Sequence, residues 1–178
     1  KSTFRRNLIF NNNKQGIVLS VYDSQWPTLQ PNDQSDNLFE DNCIWIGMRS
    51  WNGRYRTPEF TAILLNDRTK AQSVRMDNNV FRGNVLVTQN AEVMLFGRPG
   101  FFGSSTIEGN TLCLRARENR LIVVKKIAYG ARQLTALGSK VHDNRVKELQ
   151  FQDMLTTYQT MKSTQPSEKD VKIVKTNK

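Results

Sequence analysis

Between Ile17 and Tyr129 short apolar runs alternate with clusters of Gly, Asn, Asp and Pro. The punctuation recurs at intervals of about 8–12 residues, and this spacing limits the fold more than any other feature. The runs are Val18–Tyr22, Cys43–Met48, Phe60–Leu65, Val85–Val87, Glu92–Phe96, Thr111–Arg115 and Leu121–Ile127. Each is too short for a stable helix and rich in Val, Ile, Phe, Tyr or Trp, which suit a pleated, half-buried surface. Each therefore predicts a strand. Between them, Asn52-Gly53, Arg82-Gly83-Asn84, Gly97-Arg98-Pro99-Gly100 and Glu108-Gly109-Asn110 supply residues that tolerate positive φ. Strands of this kind joined by turns predict a β-sandwich or barrel over residues 17–138.

The period changes after Gly138. Val146, Leu149, Phe151, Met154, Leu155, Tyr158 and Met161 recur at intervals of two to four, an apolar stripe predicting one amphipathic helix within residues 139–162. Its apolar face is expected to cover an open end or edge of the sheet. Residues 1–16 read as an N-terminal arm, and 163–178, where Lys, Thr, Ser and Gln displace apolar residues, as a flexible basic tail. The fold class expected is all-β with one C-terminal helix.

Three segments open alike: Asp41-Asn42-Cys43-Ile44-Trp45-Ile46, Asp77-Asn78-Asn79-Val80-Phe81-Arg82 and Glu118-Asn119-Arg120-Leu121-Ile122-Val123. Their starts lie 36 and 41 residues apart, which suggests a repeated unit of about 40 residues. Upstream of the third copy, residues 93–105 run as an apolar strand ending in Phe96, a turn, Phe101-Phe102-Gly103 and then Ser104-Ser105. This resembles the Greek-key motif of the βγ-crystallins. The resemblance implies a Greek-key β-sandwich, with Phe96 as the strand aromatic packed over a folded hairpin, Gly103 as the hairpin glycine and Ser104 or Ser105 as its tie. Calcium-binding members of that family need hydroxyl ligands where this chain has Trp45-Ile46 and Ile122-Val123. Weak or absent calcium binding is expected by that route, because an apolar side chain offers no oxygen ligand.

The formal net charge is +10, and residues 61–150 hold 14 basic against 7 acidic side chains. Arg115, Arg117, Arg120, Lys125, Lys126 and Arg132 fall within one predicted hairpin region, with Arg98 at the preceding turn. Guanidinium forks donate paired hydrogen bonds to sulfate, phosphate or carboxylate. The cluster predicts a polyanion site of the heparin-binding kind, for a glycosaminoglycan or other sulfated glycan, an anionic membrane surface or an acidic protein. The turn bearing Trp51, Arg54, Tyr55 and Arg56 is a candidate contact loop. Nucleic acid fits less well, since most other aromatics occupy strand or hairpin positions instead of forming stacking platforms.

Cys43 and Cys113 sit in apolar settings and allow two readings: buried free thiols, or one disulfide closing a loop of about 70 residues. The even count and the absence of an initiator Met favour a secreted protein. One histidine and two cysteines cannot furnish a four-ligand Cys/His zinc site. Phosphate-loop, nucleophile-elbow and His-Glu-x-x-His patterns are missing, and no apolar run approaches the roughly 20 residues of a membrane span. The sequence therefore predicts a non-enzymatic binding protein with no cofactor and no metal. The alternatives are an interaction or inhibitory module acting through loops and the C-terminal helix, and a self-assembling structural or pore-forming component.

Overall fold

The computed structural model describes residues 1–12, 15–22, 34–47, 61–68, 75–89, 92–114 and 120–164. The first three strands are β1 (Thr3–Arg5), β2 (Leu8–Asn12) and β3 (Gln15–Tyr22), and they enter three different sheets. The same order recurs in β4 (Leu38–Glu40), β5 (Cys43–Ile46) and β6 (Thr61–Arg68), then in β7 (Val80–Arg82), β8 (Val85–Thr88) and β9 (Met94–Phe96). A fourth coil carries β10 (Thr106–Glu108), β11 (Thr111–Leu114) and β12 (Ile122–Val124), and β14 (Val141–His142) and β15 (Arg145–Val146) begin a fifth. Sheet A is β1-β4-β7-β10-β14, sheet B is β2-β5-β8-β11-β15, and sheet C is β3-β6-β9-β12 closed by β13 (Ile127–Tyr129).

Among the described residues every pairing is parallel except β12–β13. A chain that visits three parallel sheets in fixed rotation is a three-sided parallel β-helix. This overturns the expected Greek-key β-sandwich, whose sheets are antiparallel. The turn signals are genuine but bend the chain into the next sheet instead of reversing it. Arg6, Asp41, Gly83, Gly109 and Asp143 occupy one corner of successive coils, all at φ between 54° and 63°. The residue after each is Asn7, Asn42, Asn84, Asn110 and Asn144, and these five asparagines stack as a ladder. In every step the upper asparagine donates from its backbone N and Nδ2 to Oδ1 of the one below, at 2.8–3.1 Å. The sequence separations along it are 35, 42, 26 and 34 residues.

A second stack joins Asn37 to Asn79, with Nδ2 of Asn37 donating to Oδ1 of Asn79 at 3.0 Å. The repeat is thus real, but its register differs from the sequence expectation: Asn42 belongs with Asn84, and Asn79 with Asn37. Inside the coils lie stacked columns, with Phe4, Phe39 and Phe81 succeeding one another at 4.9 and 4.7 Å. Ile107 and Val141 continue that register, and Ile44, Leu86, Leu112, Ile63, Met94 and Ile122 fill the other two walls.

Sheet B is buried on both faces along its central strands β5 and β8. Its outer side chains, Cys43, Trp45, Val85, Val87 and Cys113, form a second core under α3 (Phe151–Ser163), with Leu149 and the fully buried Met154. Trp45 meets Phe151 edge to face at 5.3 Å. The helix thus covers a sheet face instead of an end or edge. Its first turn is tied by Asp153, which accepts from the Gln150 backbone N at 2.9 Å. Residues 1–16 hold β1, β2 and the start of β3, and β14 and β15 precede the helix within residues 139–150.

No disulfide joins Cys43 to Cys113; both are buried thiols. In register Cys43 faces Val85 and then Thr111. Cys113 therefore lies two strands away and two residues further along. Two strand spacings alone are about 9–10 Å, beyond the roughly 7 Å that a disulfide can bridge. Two buried cysteines without a disulfide carry no sign of an oxidising compartment. Residues 93–105 hold β9 and α1 (Pro99–Ser104), a six-residue helix where a folded hairpin was expected. Ser104 and Ser105 bond back to the carbonyls of Gly100 and Phe101 within that helix.

Candidate polyanion-binding site

The corner where sheet C passes to sheet A brings basic side chains together from three coils. Arg75 precedes β7, Arg98 follows β9, and Lys125 follows β12. With Met76, Asp77, Phe101 and Ser104 they line an open concavity of about 730 Å³. The β-helix sets this convergence. Gly97 N donates to Leu65 O at 2.8 Å, and Lys125 N to Phe96 O at 2.9 Å, so successive corners stack as the strands do. The lining carries three basic side chains and one carboxylate.

That carboxylate is already engaged. Arg75 donates from Nε and Nη2 to Asp77 at 3.2–3.4 Å. A hydrogen bond from Ser35, set against the opposing effect of burial and aided by Arg75, holds the Asp77 carboxyl below its usual range. Lys125 stands at φ 54° and Lys126 at φ 151°, the two turn residues of the β12–β13 hairpin. Glycine or asparagine would fill a turn of this kind at less cost. Two lysines there hold exposed ammonium groups on a fixed tip, one of them on the pocket rim.

The remaining predicted residues are dispersed. Arg120 lies at the opposite end of β12, with Nη2 at 3.8 Å from Oε1 of the buried Glu92, whose Oε2 has no hydrogen-bond partner among the described residues. Arg132 is exposed on α2 (Ala131–Leu134). The predicted contact loop of Trp51, Arg54, Tyr55 and Arg56 lies outside the described residues, as do Arg115 and Arg117. Their described flanks share one corner: the chain leaves β5 at Ile46 and enters β6 at Thr61, and it leaves β11 at Leu114 and enters β12 beyond Arg120.

One charged array escaped the sequence reading. Arg5, Glu40, Arg82, Glu108 and His142 are register partners across sheet A, so basic and acidic side chains alternate down its outer surface. Arg5 Nε lies 2.6 Å from Glu40 Oε2, Arg82 pairs with both Glu40 and Glu108, and His142 Nε2 is 3.5 Å from Glu108. Burial raises the Glu40 pKa, but the Arg82 hydrogen bond and the charges of Arg82, Arg5 and Arg6 outweigh it, and the net shift is downward. The Arg82 pKa rises in return, chiefly through its hydrogen bond to Glu40. A carboxyl so held is a poor general acid. Because its charges cancel in sequence, the array is also a poor anion receptor. Only the register of the coils could have revealed it.

Among the described residues no group of three or more His, Cys, Asp or Glu is placed to hold a metal ion, and no helix is long and apolar enough to cross a membrane. The chain matches no protein-family model, no curated protein and no solved structure.

Proposed function

We propose that the protein binds a polyanionic chain of the sulfated-glycan class, without catalysis, at the corner between sheets C and A. The observation that carries this reading is the meeting of Arg75, Arg98 and Lys125, drawn from three coils, around one open concavity. Arginine forks match sulfate and carboxylate oxygens, and Lys125 adds a point charge on the rim. Coils stacked at about 4.8 Å repeat the corner along the axis. An extended polymer laid along it meets successive corners, whereas a small anion meets one.

The test is the affinity of a fluorescent heparin oligosaccharide over rising salt. Exposed ionic contacts contribute about 0.5–1 kcal/mol each. Losing both contacts in Arg98→Ala/Lys125→Ala should raise Kd about 5- to 30-fold. Lys126→Ala/Arg132→Ala, with the same charge change away from the concavity, should leave Kd within about twofold. Affinity should fall with salt as exposed charges become screened. Equal losses in the two double variants would refute the assignment.

The interaction-module alternative loses one of its grounds. The apolar face of α3 is spent on sheet B, with Met154 fully buried and Phe151, Tyr158 and Met161 packed beside it.

A further inference from the structure

Columns of core side chains cross sheet C toward β13, and one of them ends in solvent. Leu65, Phe96, Val124 and Ile127 are register partners on β6, β9, β12 and β13. The first three are core residues at 0%, 0% and 3% exposure, whereas Ile127 is 61% exposed. Directly paired residues project from the same face of a sheet, so Ile127 extends an apolar column one strand past the coils that fill it. The neighbouring column of Ile63, Met94, Ile122 and Tyr129 finishes differently, with the Tyr129 ring half-buried and stacked on Phe102 at 5.5 Å. The chain runs on through α2, β14, β15 and α3 and leaves Ile127 uncovered.

The surroundings of Ile127 are cationic. Lys125, Lys126, Ile127 and Ala128 are exposed in unbroken succession, and Arg132 on α2 and Lys140 before β14 are exposed as well. Between Arg120 and Asp143 the sequence holds Lys125, Lys126, Arg132 and Lys140 and no carboxylate. Among the described residues Lys125, Lys126 and Arg132 enter no ion pair. Asp77, the carboxylate of the concavity that Lys125 borders, is held by Arg75. The hairpin tip thus presents one large apolar side chain inside a group of unneutralised positive charges.

We infer that this tip docks the protein on an anionic phospholipid bilayer. Ile127 enters the boundary between headgroups and acyl chains, while Lys125 and Lys126 lay their methylene stems beside it and carry their ammonium groups to lipid phosphates. Arg132 adds attraction to the negative surface. The apolar side chain separates this occupant from a sulfated glycan, which offers sulfates to the lysines and no medium for Ile127. A protein partner would need a socket shaped for one isoleucine, whereas a bilayer admits a lone side chain anywhere on its face. A second copy joined tip to tip would set Lys125 and Lys126 against their own counterparts. The inference goes beyond the polyanion reading. Lys125 also borders the concavity, so the test turns on Lys126 and Ile127, which are not among its lining residues.

Co-sedimentation of the full-length protein with vesicles is the test. The protein should pellet with vesicles of equimolar phosphatidylcholine and phosphatidylserine and stay in the supernatant with phosphatidylcholine alone, a comparison that needs no variant. Ile127→Ser keeps the charge and should weaken vesicle binding at least about fivefold through lost apolar burial. Lys126→Ala should weaken it about fivefold through lost attraction to the anionic surface. Heparin affinity of Ile127→Ser should stay within about twofold, so failure here and failure of the polyanion reading are told apart. With Cys43 and Cys113 buried, Ile127→Cys can be labelled with an environment-sensitive fluorophore, whose emission should shift to the blue on the mixed vesicles. Purely electrostatic adsorption would not produce that shift. No binding to the mixed vesicles, an Ile127→Ser protein that binds as tightly as the unmodified one, or a fluorophore that stays in water would overturn the inference. So would a dimer on gel filtration that Ile127→Ser dissociates, since a second copy would then cover the column.

Discussion

Asn84→Ala removes the middle rung of the asparagine ladder, and the structure shows what is lost. The Asn84 side chain is fully buried. Its Oδ1 accepts from Asn42 N and Nδ2, and its Nδ2 donates to Phe39 O and Asn110 Oδ1. Asn110 Oδ1 keeps the backbone donor of residue 84. Three buried groups therefore lose a partner: two donors on Asn42 and the Phe39 carbonyl. At about 1–2 kcal/mol each, from the lower part of the range for unsatisfied buried groups, the cost is about 3–6 kcal/mol. That is a large share of the 5–15 kcal/mol typical of a folded domain. Asn7 is the contrasting rung. It is exposed, and among the described residues its side chain makes only the bond to Asn42, so Asn7→Ala should cost less than about 1 kcal/mol. Asn84→Asp should do at least as badly as alanine, since it keeps the acceptor but sets carboxylate oxygens against Phe39 O and Asn110 Oδ1. Urea unfolding followed by circular dichroism measures all three variants. Equal costs at positions 7 and 84, or a cost below about 1 kcal/mol at position 84, would refute the ladder's structural role.

Acid should weaken the fold through Glu40. Its folded pKa lies below the usual 4.5, so its stabilisation is complete above that value and is lost as pH falls through the folded pKa. Glu40→Gln should flatten the stability profile in that window, and an unchanged slope would contradict the pairing. The thiols should resist Ellman's reagent in the native protein, because burial first and the charge of Asp41 second push Cys43 up to about 12, and two equivalents should react in denaturant. A native protein that reacts at once, or a denatured one with no reactive thiol, would contradict two buried cysteines without a disulfide. Lys125→Gly should stabilise the hairpin by about 0.5–1 kcal/mol, since glycine accepts φ 54° more readily, while weakening heparin binding. A gain in both would remove the case that this lysine is retained for its charge.

The strands most legible in the sequence were those of sheets B and C, because β5, β6, β8, β9 and β11 are apolar runs standing between turn residues. Sheet A was invisible. Its strands are two or three residues long, and Leu38-Phe39-Glu40 or Ile107-Glu108 is too short to display a period. Without sheet A, each coil reads as a pair of strands joined by a reversal, and the corner residues Gly83 and Gly109 read as turns between sandwich strands. Positive φ reports a bend, and it carries no information on whether the next strand returns or moves on. The repeat was blurred because ladder separations vary from 26 to 42 residues with the length of the corner connections, so matched spacing favoured Asn42 with Asn78 over Asn42 with Asn84. Of the site, Arg98 and Lys125 were nominated from charge density along the chain. Arg75 was not, since it lies more than twenty residues upstream and joins them only through coil stacking.

The central functional claim is that an anionic chain sits at the corner between sheets C and A, and amide chemical-shift mapping with a short heparin oligosaccharide tests it most directly. Perturbations should centre on the backbone amides of Arg75, Gly97, Arg98, Gly100 and Lys125. Shifts centred on sheet A around Arg5 and Arg82, or on Arg132 and its helix, with the corner unmoved, would contradict it.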